Sequence, residues 1–442
     1  MYSEEIESAL KKGKIEIGDE IRLFSSKGRF EGTLMPRPDL GDNNILVIKL
    51  SNGYNIGIRF EKGDKIEKIL SKKAPAIERS ISTKHTKKPN LPNVSLIYTG
   101  GTIGSKIDYQ SGGVFMLTKP EELLGEVPEL EGIANIDVNP LMSVASEDMT
   151  YIEWQKIAKA VADSLKKNRG VVITHGTDTM HYTSAVLSFM LNNLNAPVVM
   201  TGSQRSSDRG SSDAFMNLVC SMHLAAKSDI AEVVVCMHET SSDNHCSVIR
   251  GTKARKMHTS RRDAFKPINN KPIARVSRDG EIEYLSTYKK KGEGELKLLS
   301  GYEPKVALVK AYPNSDPNII DYYLSKGYKG LIIEGTGLGH TPVSTLHKEY
   351  SWLDNVKKAV DSGMIIGITS QCLYGRVNPN VYRNLRLLSN AGAIYCEDML
   401  PEVAYVKLGF LLGNYKKEEA KKLLNVNLAG EITKRSEVDS FI

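Results

Sequence analysis

The sequence predicts an α/β protein: a small N-terminal antiparallel β-barrel domain, followed by two α/β domains built on parallel sheets. Three observations carry that expectation. Residues 15 to 70 hold short alternating segments separated by Gly- and Asn-containing turns. From residue 94 onward, compact runs rich in Val and Ile recur, each bounded by glycine. Helical patterns lie between those runs, the alternation that doubly wound folds require.

The N-terminal elements are "IEIGDEIRLF", "GRFEGTLMPR", "NILVIKLSNGYNIGIRF" and "DKIEKIL", broken at "SSKG", "DLGDN", "SNG" and "EKG". So short a domain encloses little core and needs a neighbour to pack against. We place the barrel domain at 1–75 and a basic linker at 76–93. The strands expected next are "VSLIYTGG", "GVVITHG", "APVVMTGS" and "AEVVVCMHE" within a first α/β domain at 94–290. After the polar break "STYKKKGEGELKLLSGYEPK" come "PKVALVKAY", "KGLIIEGTG" and "MIIGITSQC" in a second domain at 304–425, with a tail at 426–442. One helix start is explicit. Thr150 stands three residues before Glu153, a capping box, and Trp154, Ile157, Ala158, Val161 and Leu165 share the face behind it.

Composition narrows the function classes. A chain of 442 residues, 40% hydrophobic and 25% charged, is an ordinary globular protein of more than one domain. The N-terminus has no signal-peptide core, and no apolar run reaches the ~18 residues that span a bilayer. Five scattered cysteines argue against a disulfide framework, so a cytoplasmic location is expected. Basic residues concentrate at 71–88 and 253–266. Such runs suit a polyanionic partner, and equally suit a solvated linker and loop.

The chemistry-bearing residues lie where strands end, as they do in open parallel sheets. "IYTGGTIGS" places Gly101 and Thr102 past one strand, and "VVITHGTDTM" places Gly176, Thr177 and Asp178 past another. "GTKARK" adds Lys253 from a loop downstream of a third. Two hydroxyls, a carboxylate and a lysine are the parts for nucleophilic acyl transfer. A threonine hydroxyl becomes nucleophilic when a base takes its proton, and a buried lysine can be that base. Neither glycine motif has the spacing of a phosphate-binding loop. "CMHETSSDNHC" brings Cys236, His238, His245 and Cys246 close together, but not at a usual zinc spacing, so a structural role is expected and no metal.

"TGGTI", "HGTDTM" and "GTK", with "TGSQR" and "DAF" between and after them, resemble the motifs of the type I/II L-asparaginase family over residues 94 to 425. The resemblance implies that the two α/β domains are asparaginase-like. It makes Thr102 the nucleophile, with Thr177, Asp178 and Lys253 as its catalytic partners. It also implies substrate contacts from Ser146 and Glu147, although the family's glutamine is a glutamate at 147; Gly101 and Gly176 are expected to let the backbone come close to a bound small molecule. Tyr109 is the candidate for an activating tyrosine on the loop after the nucleophile.

The added N-terminal domain resembles that of the D subunits of archaeal glutamyl-tRNA(Gln) amidotransferases. That resemblance implies a glutaminase half-enzyme hydrolysing the side-chain amide of Gln or Asn. Ammonia would pass to a GatE-like partner subunit, which would hold ATP and magnesium and act on Glu-tRNA(Gln). It also implies a homodimer of this chain within a heterodimer or 2:2 heterotetramer, with no cofactor in this chain. A free-standing asparaginase with an appended domain is the alternative.

Overall fold

The computed structural model describes residues 2–36, 42–51, 54–69, 88–107, 114–116, 127–207, 209–292 and 294–441. The N-terminal part begins with helix α1 (Glu4–Gly13), whose Ile6 and Leu10 are buried. Strands β1 (Glu20–Ser25), β2 (Gly28–Leu34), β3 (Ile45–Lys49), β4 (Asn55–Arg59) and β5 (Lys65–Lys68) follow. They form one antiparallel sheet in the order β4-β3-β2-β1-β5. Alternation turns Ile21 and Leu23 of β1 inward, where they meet Leu34, Leu46, Ile48, Ile58 and the α1 residues.

The five strands form the expected antiparallel sheet, and among the described residues no ladder joins its edge strands β4 and β5. Period-two alternation specifies which face of a strand is buried, whereas closure depends on edge pairing that the pattern does not encode. Most of the expected linker, residues 76–87, lies outside the described residues.

The first α/β part begins with β6 (Asn93–Tyr98), the short antiparallel pair β7 (Ser105–Ile107) and β8 (Val114–Met116), and β9 (Asn135–Pro140). Helix α2 (Tyr151–Ser164) carries the expected capping box. Thr150 Oγ1 accepts from the Ile152 N–H at 3.3 Å, and the Thr150 N–H donates to Glu153 Oε2 at 3.0 Å. Then come β10 (Gly170–Thr174), α3 (Met180–Met190), β11 (Leu191–Asn192), β12 (Val198–Thr201), α4 (Ala214–Lys227), β13 (Val233–His238) and β14 (His245–Arg250). Strands β15 (Ala254–Lys256), β16 (Phe265–Pro267), β17 (Ala274–Ser277), β18 (Ile282–Tyr284) and β19 (Lys297–Leu298) complete this part.

Its main sheet has the order β18-β17-β14-β13-β12-β10-β6-β9. Strands β9, β6, β10, β12 and β13 run parallel, with every residue of β10 buried. The other three pair antiparallel, so the sheet is mixed. The reason is local: β13 returns as β14 through the short turn at 239–244, too short for a parallel crossover.

The cysteine–histidine segment lies on that hairpin, with His238 paired to Cys246. His238 is fully buried, Nδ1 at 2.6 Å from Asn217 Oδ1 and Nε2 at 3.0 Å from Asp243 Oδ1. Among the described residues no group of three His, Cys, Asp or Glu side chains could hold a metal ion. Those residues are core and turn.

The second α/β part carries a parallel sheet of β20 (Val306–Lys310), β21 (Gly330–Gly335), β22 (Ile365–Ser370) and β23 (Ile394–Tyr395) in that order. Its helix at Pro401–Asn414 packs on α3, and Val403, Val406 and Phe410 enter the core that holds Phe189 and Met190. Among the described residues no helix is long and apolar enough to cross a membrane.

Candidate active site

Strands β6 and β10 lie side by side, with Tyr98 opposite Thr174, so the loops leaving them emerge together. After β6 the chain turns through Gly100 (φ 106°) and Gly101 (φ 87°), angles that side chains rarely adopt. Thr102 then opens a single 3-10 turn, Thr102–Gly104, and is half-buried. A Cβ on Gly101 would lie 2.5 Å from the Gly176 nitrogen. The two loops are in direct backbone contact, and each presents a threonine one residue after the contacting glycine.

Ser146 closes the third side. A Cβ on Gly176 would come within 2.7 Å of Ser146 Cβ, and Thr179 Oγ1 donates to the Ser146 carbonyl at 2.6 Å. Ser146 is buried and Glu147 exposed, their side chains linked by a long contact of 3.5 Å. Tyr109 lies outside the described residues.

Thr177 is 6% exposed, and Lys256 Nζ donates to its Oγ1 at 2.9 Å. The same amine donates to Asp178 Oδ1 at 2.6 Å. Thr177 Oγ1 in turn points its hydroxyl toward Gln204 Oε1, 3.5 Å away. The lysine at this centre is therefore Lys256, and the assignment of Lys253 is corrected.

Strand geometry gives the reason. Successive side chains of β15 and the residue before it alternate between faces, so Lys253 and Arg255 point one way and Ala254 and Lys256 the other. Lys253, 1% exposed, donates to Asp398 Oδ2 at 2.8 Å. Burial pushes its pKa down, and the Asp398 carboxylate opposes that shift. Arg255 donates to both carboxylate oxygens of Glu402 at 2.5 and 2.6 Å. One face of this short strand is an anchor to the second α/β domain, and the other carries the amine to Thr177.

Two further supports escaped the sequence reading. His175 is fully buried; burial pushes its pKa down to about 4, so the ring is neutral at physiological pH. Trp154 Nε1–H donates to Thr183 Oγ1 at 3.0 Å, which leaves the Thr183 hydroxyl to donate to His175 Nε2 at 2.9 Å. Nδ1 then carries the proton and donates to the Gly176 carbonyl at 2.6 Å, fixing the turn before Thr177. Gln204 is held by its backbone N–H, which donates to the buried carboxylate of Asp213 at 3.0 Å. "TGSQR" and "DAFMN" contained both residues of that contact. No pattern within them announces which side chain faces Thr177.

A hydroxyl that receives a hydrogen bond from an amine, beside a carboxylate open to solvent, can gain alkoxide character or direct a water. A second hydroxyl, that of Thr102, lies one backbone contact away. Together the fold and the site define an asparaginase-like framework. Residues 93–290 match the asparaginase N-terminal domain and residues 305–424 the glutaminase/asparaginase C-terminal domain. The L-asparaginase of Thermococcus kodakarensis superposes with a TM-score of 0.68 at 30% identity, covering 77% of this chain and 99% of that one.

Residues 15–69 match the GatD N-terminal domain. The D subunit of the glutamyl-tRNA(Gln) amidotransferase of Pyrococcus furiosus is 50% identical over 99% of both chains, and that of Pyrococcus abyssi 48% over the same shares. The chain belongs to the GatD family, the D subunits of glutamyl-tRNA(Gln) amidotransferases.

Proposed function

We propose that this chain is the glutamine-hydrolysing subunit of a tRNA-dependent amidotransferase and releases ammonia through a threonine ester. The observation that carries the reading is the Lys256–Thr177–Asp178 cluster in backbone contact with the Gly101–Thr102 turn. Thr102 Oγ attacks the side-chain amide carbon of glutamine, or of asparagine, and its proton passes to the leaving nitrogen. The carbon–nitrogen bond breaks, ammonia departs, and an ester to Thr102 remains. Thr177, polarised by Lys256, directs the water that hydrolyses the ester and restores the threonine. Backbone N–H groups of the glycine turns are the donors suited to the tetrahedral oxyanion.

In this reading Ser146, with Gly101 and Gly176, shapes the cavity for the substrate's amino-acid end. Asp178 and Glu147 offer carboxylates to its ammonium, and Tyr109 is the tyrosine that the family resemblance assigns to activating the nucleophile. The chain itself takes no cofactor. Ammonia passes to a GatE-like partner that uses ATP and magnesium to activate the glutamate of Glu-tRNA(Gln). The assembly is a heterodimer or a 2:2 heterotetramer built on a homodimer of this chain.

The test is ammonia release from glutamine by the chain alone, with the GatE-like partner, and with that partner plus Glu-tRNA(Gln). Release that rises in the complete mixture supports the reading. Full-rate hydrolysis by the chain alone, unchanged by the additions, identifies a free-standing asparaginase or glutaminase instead. No release in any mixture refutes the assigned chemistry.

A further inference from the structure

Past residue 424, where the asparaginase C-terminal match ends, the chain continues as an ordered segment bound to buried charges. Lys407, 0% exposed on the helix Pro401–Asn414, donates to the Val426 carbonyl and to Glu431 Oε1, each at 2.6 Å. Glu431, also 0% exposed, accepts the N–H groups of Leu428 at 2.9 Å and Ala429 at 2.6 Å. A buried ion pair with its remaining lone pairs satisfied holds a segment in one arrangement.

Two residues further on, Thr433 grips Asp398. Its N–H donates to Oδ1 at 2.9 Å and its hydroxyl to Oδ2 at 2.6 Å. Asp398 Oδ2 is also the acceptor of Lys253 Nζ. The Thr252 hydroxyl donates to the Ala429 carbonyl at 3.1 Å, so the same segment touches the loop entering β15 directly.

We propose that residues 426–433 are a strap that positions the reactive lysine. Thr433 orients Asp398, Asp398 holds Lys253, and Lys253 fixes the register and tilt of the three-residue strand that presents Lys256. None of these three meets the substrate; they are positioning residues. The strand is too short to hold its own direction, and its partner β16 is equally short. Misplacement by about 1 Å costs up to ~100-fold in rate. A tether three residues from the amine therefore acts on turnover.

The inference rests on the amidase reading for its rate prediction and is tested independently of it by amine reactivity. Thr433→Val and Thr433→Ser variants of the full chain, assembled with its partner subunit, are compared with wild type. Two quantities are read: glutamine-dependent ammonia release, and the rate of reductive methylation of Lys256 with formaldehyde and cyanoborohydride, by peptide mass spectrometry. In Thr433→Val, kcat falls about tenfold with KM within about twofold. Lys256 is methylated roughly three times faster because its strand opens more often. Thr433→Ser, which keeps the hydroxyl, restores both.

Unchanged methylation of Lys256 in Thr433→Val overturns the strap, whatever the activity. So does a serine variant as impaired as the valine one. Wild-type protein that releases no ammonia, but whose Lys256 reactivity follows Thr433 as stated, refutes the amidase reading and leaves the strap standing.

Discussion

Replacing Lys256 with methionine separates the two lysines of the "KARK" segment. The substitution keeps most of the side chain's length and deletes the amine that donates to Thr177 and Asp178. Its ion-pair partner Asp178 is 66% exposed, so the lost attraction is worth at most about 1 kcal/mol of stability. The unfolding midpoint therefore stays within about 3 °C. Turnover behaves differently. General acid–base assistance of this kind contributes about 10²–10⁴-fold, and a loss near 10³ corresponds to about 4 kcal/mol of transition-state stabilisation.

Lys253→Met gives the opposite profile. It leaves a carboxylate at 0% side-chain exposure without its cation, for about 3 kcal/mol of stability, while Thr433 still donates twice to Asp398. Ammonia release falls by about tenfold through the displaced strand. The assay is ammonia release at saturating glutamine with partner and charged tRNA, read beside calorimetric unfolding. A Lys256→Met enzyme that keeps more than a tenth of wild-type turnover refutes the argument. So does a Lys253→Met enzyme that is fully stable and inactive.

Thr102→Val and Thr177→Val each abolish ammonia release with little change in unfolding, as checked by the same pair of assays. Gly101→Ala drives a methyl against the Gly176 nitrogen, 2.5 Å from the new carbon, at φ 87°. It costs more than about 2 kcal/mol by calorimetry, together with activity. Arg255→Ala strands the Glu402 carboxylate, whose side chain is 3% exposed and whose pKa burial already pushes up. Denaturant unfolding registers a loss of about 3 kcal/mol.

His175 sets an acid limit. Native His175 stays neutral down to about pH 4, whereas the unfolded chain takes up a proton near its ordinary value of 6.5. The stability it confers is therefore full above about pH 6.5 and is lost as pH falls toward 4, up to about 3 kcal/mol. In His175→Asn the unfolding free energy, measured across that window, varies less steeply by one proton.

The Gly101–Thr102 turn and the Thr177–Asp178 pair were legible as neighbouring strand-end loops because Gly-Thr after an apolar run marks a strand end in any parallel sheet. Lys256 was not, although it stood in plain view within "GTKARK". Choosing between two lysines three residues apart requires knowing that the segment between them is a strand and which of its faces meets the second domain. That face is set by Asp398 and Glu402, more than 140 positions away in the chain. The antiparallel edge of the main sheet was missed for a related reason. Periodicity reports burial, while pairing partners come from tertiary context. Helix α1 supplies part of the extra packing that so short a domain was expected to need.

The side-chain hydrogen-bond partners of Thr252, Lys253 and Arg255 all come from the last tenth or so of the polypeptide, made after everything the amine will act beside. A ribosome-bound chain that has finished the first α/β domain thus owns both threonines but lacks the clamp that sets its lysine in place.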